Sequence, residues 1–345
     1  MIELLEKLIS IPSFSREEGE AVDFLQKWME GLGLDVRRKG SNLWCESEKE
    51  SSKPTILLNA HIDTVRPSAG YTRDPFTPEI CGDVLYGLGS NDDGASLVAL
   101  LEAYRKLSSV PQPYRLIYSV SGEEEVGGNG GIEAMIPELG RIDLGIIGEP
   151  TGMRMAVAEK GLMVLDCTAF GKSGHAARNE GVNALYKALK DIEWFRDYRF
   201  SKVSEISGEV KMTVTQINAG SQHNVIPDVC TFVVDVRGNG LYRNTEILDI
   251  VRENVKCEVR ARSTRHNGAS IDVSHPVVRR GLSLGLEMFA SPTTSNQSVC
   301  PFTTLKIGPG ESSRSHSADE FVKISEIEDA VGIYVSLLDK LEIYG

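Results

Sequence analysis

Three glutamates stand side by side in the segment GEEEVGGNGG, residues 122–131, just after the apolar run Leu116–Val120. Ionised carboxylates this close repel one another, so Glu123, Glu124 and Glu125 need either solvent or a cation near them. A solvated turn is the simpler explanation of an isolated acidic triplet. A metal site is the alternative, and it requires further ligands elsewhere in the chain.

Further residues of metal-ligand type follow other strand-like segments. The run TILLNA ends in His61-Ile62-Asp63, where alternate side chains of an extended backbone point the same way. The run LGIIG ends in Glu149, the glycine loop GLGSNDDG carries Asp92, and His316 lies in a polar turn. Each residue also has an ordinary alternative, such as a surface histidine, a helix N-cap or a solvated carboxylate.

Together these residues predict a metal centre. Two imidazoles and three carboxylates suit a pair of zinc-like ions, which accept mixed nitrogen and oxygen ligands: His61, Asp92, Glu125, Glu149 and His316. The ions would relieve the repulsion within the triplet, and one glutamate would remain to take a proton from water. A dinucleotide site fits the glycine loop less well, because Asp92 stands where that fingerprint needs its third glycine.

The surrounding pattern predicts an α/β fold, because buried runs of strand length alternate with helical segments. The predicted strands are Thr55–Asn59, Leu116–Val120, Leu144–Gly148 and Thr303–Ile307. The predicted helices cover roughly 2–33 (broken near Pro12), 94–108, 131–135, 275–289 and 324–343. In such sheets the loops after the carboxyl ends of the strands carry the site.

Residues 159–267 follow a different pattern. Apolar and polar residues alternate in GLMVLDCTAFG, EVKMTVTQINAG and CTFVVDVRG, as in half-exposed antiparallel strands. A fourth strand in CEVRARS and helices near 181–195 and 244–255 complete a small α+β layer. The sequence therefore predicts one domain from 1–158 and 268–345, with a second domain, 159–267, inserted into it.

Composition excludes several classes of partner. The net charge of −12 over 345 residues, with no basic stripe, argues against binding to nucleic acid or an anionic membrane. No apolar run approaches the roughly 20 residues that span a bilayer, and the N-terminal segment lacks signal-peptide features. The six cysteines are scattered singly, as in a reduced cytoplasmic protein.

Eight motifs occur in a fixed order over nearly the whole chain: HIDTV, YGLGSNDDG, EEEVGG, GEPTG, GKSGHAA, NVIP, DVR and GPGESSRSH. This ordered set resembles the M20 metallopeptidase/deacylase family. That family includes acetylornithine deacetylase, succinyl-diaminopimelate desuccinylase, aminoacylase and glutamate carboxypeptidases. The resemblance implies a zinc-peptidase-type catalytic domain with a mixed, largely parallel sheet, and an inserted α+β lid that also forms a homodimer.

The resemblance also implies how the ligands share the metal. His61 and Glu149 would hold one ion, Glu125 and His316 the other, and Asp92 would bridge the two. The implied cofactor is zinc, two ions per subunit, with cobalt or manganese as alternatives.

Further catalytic roles follow from the same resemblance. Asp63 would orient His61, and Glu124 would be the general base. Glu123 stands where the family often has aspartate, either behind the ligands or facing solvent. His175 would polarise the scissile carbonyl from a neighbouring subunit, whereas a surface loop histidine is the ordinary alternative.

Four residues are assigned to substrate binding. Asn224 and Arg237 match lid positions that bind a substrate carboxylate, to which arginine offers a bidentate fork. Arg314 could pair with the distal carboxylate of a succinyl group, or it could simply face solvent. Gly310 belongs to the same motif. Arg178 departs from the family, in which many members have proline there.

The resemblance implies a hydrolase that removes an acyl group from a small N-acyl amino acid. The similarity is greatest to acetylornithine deacetylase, which implies N-acetylornithine or N-succinylornithine as substrate, in arginine biosynthesis. Alternatives are a succinyl-diaminopimelate desuccinylase, a lysine-type deacylase and a small di- or tripeptidase. A metal-binding relative without catalysis is a further alternative, but the presence of Glu124 and His175 favours an enzyme.

Overall fold

The computed structural model describes residues 1–49, 52–178 and 180–344. The chain has two compact units, the first comprising Met1–Val157, Ser270–Phe289 and Ser295–Gly345, the second Ala158–Ala269 and Ala290–Thr294. The α-helices of the described residues are α1 Ile2–Ile9, α2 Gly19–Gly31, α3 Ala95–Ser108, α4 Ile132–Leu139, α5 Ala184–Asp197, α6 Asn244–Asn254, α7 Pro276–Ser283 and α8 Ile324–Leu338. None of the described helices is long and apolar enough to cross a bilayer.

The strands of the described residues range from two to nine residues in length. They are β1 Arg37–Lys39, β2 Asn42–Glu46, β3 Thr55–His61, β4 Glu79–Cys81, β5 Val84–Tyr86, β6 Arg115–Ser121, β7 Leu144–Ile147, β8 Met155–Glu159, β9 Met163–Phe170, β10 Gly174–His175, β11 Lys211–Ala219, β12 Val225–Ile226, β13 Val229–Arg237, β14 Glu258–Ala261, β15 Ala269–Ser270, β16 Met288–Ser291, β17 Thr304–Lys306 and β18 Phe321–Lys323. Short 3₁₀ turns occupy Asn296–Val299 and Ser312–Arg314.

The main sheet of the first unit contains the order β1-β2-β6-β3-β7-β17-β8. Its centre is parallel, because β3 pairs in parallel with β6 and β7, and β17 pairs in parallel with β7. Towards the edges, β2 is antiparallel to β6 and β8 is antiparallel to β17. Every residue of β3 and β7 is buried, as expected of central strands with both faces covered. The prediction of a mixed, largely parallel sheet is therefore confirmed.

Helices cover both faces of this sheet. Side chains alternate along each strand, so Leu58 and Tyr118 join the larger core under α1, α2, α3 and α8. Leu57 and Ile117 point to the opposite face and pack with α4 and the turn Asn296–Val299. The two layers cover the sheet and leave the loops at the carboxyl ends of its strands to carry functional side chains.

The second unit contains a four-stranded antiparallel sheet in the order β11-β13-β9-β14. Burial alternates residue by residue along β9, which confirms the prediction of half-exposed strands. Helix α5 packs on this sheet, and Phe195 of α5 and Ile247 of α6 belong to the same core. Strand β11 forms one edge, and most of its residues are exposed.

Two elements differ from the sequence-based expectation. The helix predicted at 275–289 is wrong in its second half, because α7 ends at Ser283 and residues from Met288 form β16. Gly285, at a φ of +82°, ends the helix in a left-handed conformation that favours glycine. The predictions also missed a small sheet in the order β18-β5-β4, which joins segments more than two hundred residues apart.

Candidate metal centre

The candidate ligands lie after the carboxyl ends of the parallel strands. β3 ends at His61, which is in register with Ser121 at the end of β6. Glu124 and Glu125 follow β6 in the next turn. Glu149 comes two residues after β7, and the segment leading to His316 follows β17. Because parallel strands end at the same edge of the sheet, residues distant in sequence reach one place.

His61 and Asp92 form one contact of the cluster. His61 is buried, and its Nε2 lies 3.1 Å from Asp92 Oδ1. Its Nδ1 lies 2.8 Å from the main-chain oxygen of Asp63. With the proton on Nδ1 donated to that oxygen, Nε2 is left facing Asp92. Asp92 lies in a non-helical turn before α3, and its peptide bond to Asp93 is cis.

His316 and Glu125 form a second contact. The Nε2 atom of His316 lies 2.9 Å and 3.1 Å from the two carboxylate oxygens of Glu125. The same nitrogen is 3.7 Å from Asp92 Oδ2. Asp92 therefore directs one oxygen towards His61 and the other towards His316, the arrangement that a bridging carboxylate would need.

Two overlapping groups of ligand atoms result. In one, single ligand atoms of His61, Asp92 and Glu125 lie within 4.8 Å of one another; in the other, those of His61, Glu124 and Glu149 do. All the residues proposed as ligands are thus brought to one region. Glu124, predicted as the base, lies among the ligand atoms as well.

Asp63 acts on its surroundings differently from the sequence-based expectation. Its carboxylate lies 3.6 Å from His61 Nδ1, whereas its main-chain oxygen makes the closer contact. The carboxylate accepts hydrogen bonds from the amides of Glu124 at 3.0 Å and Glu125 at 3.1 Å, and from Ser15 Oγ at 2.7 Å. Asp63 therefore fixes the backbone of the glutamate turn in addition to holding the His61 ring through its carbonyl.

Glu123 turns away from the cluster. Its φ of +56° places it in the left-handed region, and its carboxylate lies under the glycines that follow. A Cβ atom at Gly128 would come within 1.9 Å of Glu123 Oε2, and one at Gly130 within 2.2 Å of Oε1. Arg16 lies 3.5 Å from the same carboxylate. The glycines of EEEVGGNGG therefore make room for Glu123, and its charge is kept apart from those of Glu124 and Glu125.

The cluster concentrates negative charge in a buried place. Burial, reinforced by Glu125 and other nearby carboxylates, raises the pKa of Glu124 to about 8. Burial, Glu124 and Asp92 raise the pKa of Glu149 well above its ordinary value. Burial opposes protonation of His61, but its hydrogen bond to Asp92 and the surrounding carboxylates outweigh this, so its pKa is raised. The hydrogen bond that His316 donates to the carboxylate of Glu125 raises the pKa of His316 to about 9.

These residues fit divalent metal ions. The donors are two imidazoles and several carboxylates, the mixed nitrogen and oxygen set that zinc and its neighbours accept. Burial first and neighbouring carboxylates second raise the pKa of Glu124 and Glu149, and a cation would lower both pKa values. The residues predicted from sequence to hold the ions are His61, Asp92, Glu125, Glu149 and His316.

The second unit brings two of its predicted residues together. His175 lies on β10, opposite Val225 of β12, and the main-chain oxygen of the adjacent Asn224 accepts a hydrogen bond from Ala176. The side chain of His175 is exposed. Arg237, at the end of β13, has its fork paired with Asp235 through two hydrogen bonds of 2.9 and 3.1 Å.

Arg314 and Gly310 lie in the segment that carries His316. The Arg314 guanidinium donates two hydrogen bonds, of 2.7 and 3.0 Å, to the carboxylate of Glu326 and lies over the ring of Phe321. Gly310 has a φ of +80°, and a Cβ there would come within 2.2 Å of Asn91 Oδ1. The fork of Arg314 therefore already has a carboxylate partner, and the side chain, at 15% exposure, does not simply face solvent.

Sequence reasoning missed Glu320 and Asn91, which form hydrogen bonds to the loops that carry the ligands. Glu320 accepts hydrogen bonds from three amides of the Asp92 loop, and the side chain of Asn91 joins that loop to Glu311 and Ser315. Both side chains carry ordinary polar groups next to a motif. Their partners lie more than two hundred residues away, and no local pattern marks such pairing.

Comparison with known proteins identifies the family of this chain. The profile of the family described as Peptidase family M20/M25/M40 matches residues 57–340. Succinyl-diaminopimelate desuccinylase of Cereibacter sphaeroides is 25% identical over 378 aligned residues, covering 98% of this chain and 97% of the relative. Acetylornithine deacetylase of Yersinia pseudotuberculosis is 28% identical over 384, covering 98% and 96%.

Solved structures share the fold. Aminopeptidase PepT from Bacillus cereus superposes with a TM-score of 0.77 at 20% identity, covering 98% of this chain and 97% of the other. A dinuclear metal-binding peptidase of the M20 family from Bacillus subtilis superposes with a TM-score of 0.73 at 14% identity, covering 98% and 96%. The profile match over most of the chain confirms the resemblance found in the motifs. The chain therefore belongs to peptidase family M20/M25/M40 and is a hydrolase of that family.

Proposed function

We propose that the protein is a dinuclear zinc hydrolase that removes the acyl group from an N-acyl diamino acid. The observation that carries this proposal is the convergence of His61, Asp92, Glu125 and His316, with Glu124 beside them, at the ends of the parallel strands. The related sequences include succinyl-diaminopimelate desuccinylase and acetylornithine deacetylase. Both substrates are small diamino acids acylated on nitrogen.

The proposed reaction is hydrolysis of the amide by water. Ions bound at the site would act as Lewis acids, polarising the acyl oxygen and making water easier to deprotonate. Glu124 takes a proton from the attacking water and hands it to the departing amine, so that one residue serves as base and then acid. The amides of Glu124 and Glu125, bound by Asp63, hold this carboxylate in place during both transfers.

Residues of the second unit would complete the site as a lid. His175 would donate a hydrogen bond to the developing oxyanion, which is stronger in the transition state than in the substrate. Asn224 is held next to His175 by the pairing of β10 with β12. Arg237 would bind the substrate carboxylate, and to do so its fork must share or leave Asp235.

We further propose a homodimer formed through the second unit. The edge strand β11 leaves backbone groups on one side without a partner strand in this sheet, and such edges pair readily with a second copy. Exposed apolar side chains lie on this strand and on α5, which packs against it. They include Ile217 at 45% exposure, Leu189 at 45% and Tyr186 at 66%. Large exposed apolar side chains grouped in this way mark interaction surfaces.

A substrate panel tests the proposed reaction. Acetyl and succinyl derivatives of ornithine, lysine and diaminopimelate would be incubated with the zinc-loaded protein, and release of primary amine would be measured. A tripeptide with a free amino terminus serves as the peptidase arm. Turnover of an acyl diamino acid at least tenfold above the tripeptide supports the proposal, whereas preference for the tripeptide contradicts it.

Metal content gives a separate prediction. We expect two ions per chain after loading with zinc, removed by a chelator and restored by zinc or cobalt. Asp92→Ala should lose both ions, because its two oxygens face the two histidines, whereas Glu149→Ala should retain about one. Metal analysis of gel-filtered protein measures this. Equal metal content in the two variants would argue against a bridging role for Asp92.

The acyl preference tests the role of Arg314. Because its fork is already bound by Glu326, we expect Arg314→Ala to leave the ratio of succinyl- to acetyl-ornithine turnover unchanged within about twofold. Glu326→Ala is the matched control, since it removes the competing carboxylate and would release the arginine. If Arg314→Ala lowers succinyl turnover selectively, and Glu326→Ala raises it, Arg314 selects the acyl group after all.

A further inference from the structure

Three backbone amides of the Asp92 loop, those of Gly89, Asn91 and Asp92, are bonded to a side chain and not to a main-chain oxygen. Residues 87–94 combine three glycines with two aspartates whose φ and ψ angles are not helical. Gly89, at a φ of +74°, has no room for a Cβ, which would lie 2.6 Å from Thr64 Cγ2. A buried loop of this shape leaves amide groups that neither a strand nor a helix satisfies, and such groups are costly when unbonded.

Glu320 supplies the missing acceptor. Its side chain is buried, at 2% exposure. Oε2 accepts the amide of Gly89 at 3.0 Å, and Oε1 accepts those of Asn91 and Asp92, both at 2.9 Å. One carboxylate therefore satisfies three backbone donors, one of which belongs to the residue that lies between the two histidines.

The fold brings Glu320 to this position. Phe321 of β18 pairs with Tyr86 of β5, and the main-chain oxygen of Glu320 accepts the amide of Gly87 at 3.0 Å. On its other side, the carboxylate of Asp319 accepts the amides of Thr72 at 2.8 Å and Arg73 at 3.0 Å. Hydrogen bonds thus hold the backbone on both sides of Glu320, and its side chain has little freedom to move.

The same segment carries His316. Asn91 strengthens the connection, because its Oδ1 accepts the amide of Glu311 at 3.0 Å and its Nδ2 donates to Ser315 Oγ at 3.3 Å. The hydrogen bonds of Asn91 therefore join the loop that carries Asp92 to the turn that carries His316. Glu320 is not among the grouped ligand atoms of the described residues.

We propose that Glu320 is a positioning residue that fixes the direction of the Asp92 carboxylate by binding the three amides of its loop. It acts through Asp92 and does not itself hold an ion. This inference rests on the proposed metal centre. Residues that orient a metal ligand typically change metal affinity or activity 10–100-fold when they are replaced.

The first test compares Glu320→Gln with the wild type. Glutamine keeps the shape of the side chain, but its NH₂ group cannot accept a hydrogen bond. At least one of the three backbone amides that Glu320 binds would therefore face the NH₂ group and lose its acceptor. We expect the folded variant to bind Zn²⁺ 10–100-fold more weakly in competition with a chelating dye. We also expect its Co²⁺ absorption spectrum to change, and kcat to fall with KM nearly constant. Glu320→Asp, which keeps the charge and both oxygens, should recover part of the affinity.

A control separates positioning from a loss of stability. Asp191, in the second unit, is also a buried carboxylate that accepts two backbone amides, those of Lys256 and Cys257. Asp191→Asn should lower the melting temperature of the metal-free protein without changing Zn²⁺ affinity or the Co²⁺ spectrum. Comparison with Glu320→Gln then distinguishes a general folding defect from a specific effect at the metal.

Each outcome decides the inference. Zn²⁺ affinity within twofold of the wild type and an unchanged Co²⁺ spectrum in Glu320→Gln would overturn it. If Glu320→Gln does not fold, Glu320→Asp is measured in its place. A Zn²⁺ affinity of Glu320→Asp equal to that of the wild type overturns the inference, and a Zn²⁺ affinity below that of the wild type supports it. A wild-type protein that binds no metal would instead reject the proposed function itself.

Discussion

Replacing Glu124 with glutamine is expected to leave two metal ions bound per chain and to lower kcat about 10²–10⁴-fold, the usual contribution of a positioned general base. Glutamine has nearly the same shape but cannot take a proton from water. Burial and neighbouring carboxylates raise the pKa of Glu124 to about 8, and bound cations would lower it. Steady-state kinetics and metal analysis on the same preparation measure both parts of the prediction.

The metal content decides between two roles for Glu124. Its oxygen lies within 4.8 Å of ligand atoms of His61 and Glu149, so it could bind an ion itself. Loss of one ion in Glu124→Gln would identify it as a ligand, whereas full metal content with low kcat identifies the base. Glu123→Gln is the matched control, because that carboxylate points under Gly128 and away from the cluster. More than a tenth of wild-type turnover in Glu124→Gln would contradict the assignment.

A mixed dimer of two inactive variants is expected to regain about half of the wild-type activity. Glu124→Ala and His175→Ala should each be inactive as homodimers. If His175 acts in the partner's site, the heterodimer has one site with both residues intact and a second site with both replaced. This counting of sites gives the factor of one half. Co-expression with two affinity tags isolates the heterodimer for assay.

A second pair of variants controls this experiment. Glu124→Ala and His61→Ala both affect the ligand cluster of the first unit, so every site in their mixed dimer carries one lesion and activity should not return. An inactive Glu124→Ala/His175→Ala heterodimer would show that His175 serves its own chain. Replacing Ile217 on the exposed edge strand with aspartate should produce monomers that lack activity. Light scattering would detect the monomers, and the substrate assay would measure the loss of activity.

The positions of the ligands are predictable from sequence because the strands that carry them are unusually uniform. Every residue of Leu144–Ile147 is buried, and such apolar runs are recognisable without knowledge of their neighbours. A residue that follows such a run lies at the carboxyl end of the sheet whatever the order of the strands. His61 and Glu149 could therefore be placed together before any contact was known.

Other features depend on contacts that sequence does not display. The carboxylate of Asp63 binds the amides of Glu124 and Glu125, which requires the exact register of β3 against β6. Arg314 pairs with Glu326 only because the turn and helix α8 meet in three dimensions. The end of α7 was missed because Leu286 continues the apolar pattern after Gly285 has already turned the backbone.

The order of the strands in the main sheet has a consequence for biosynthesis. β3, β6 and β7, which lie side by side, are all made within the first 147 residues. Their neighbour β17 begins at residue 304, and His316 follows it, after the entire second unit has been synthesised. A nascent chain can therefore form half of the sheet while β7 still has an open edge. An ion held by His61 and Glu149 would need only the first 149 residues, whereas an ion held by His316 would have to wait until translation is nearly complete.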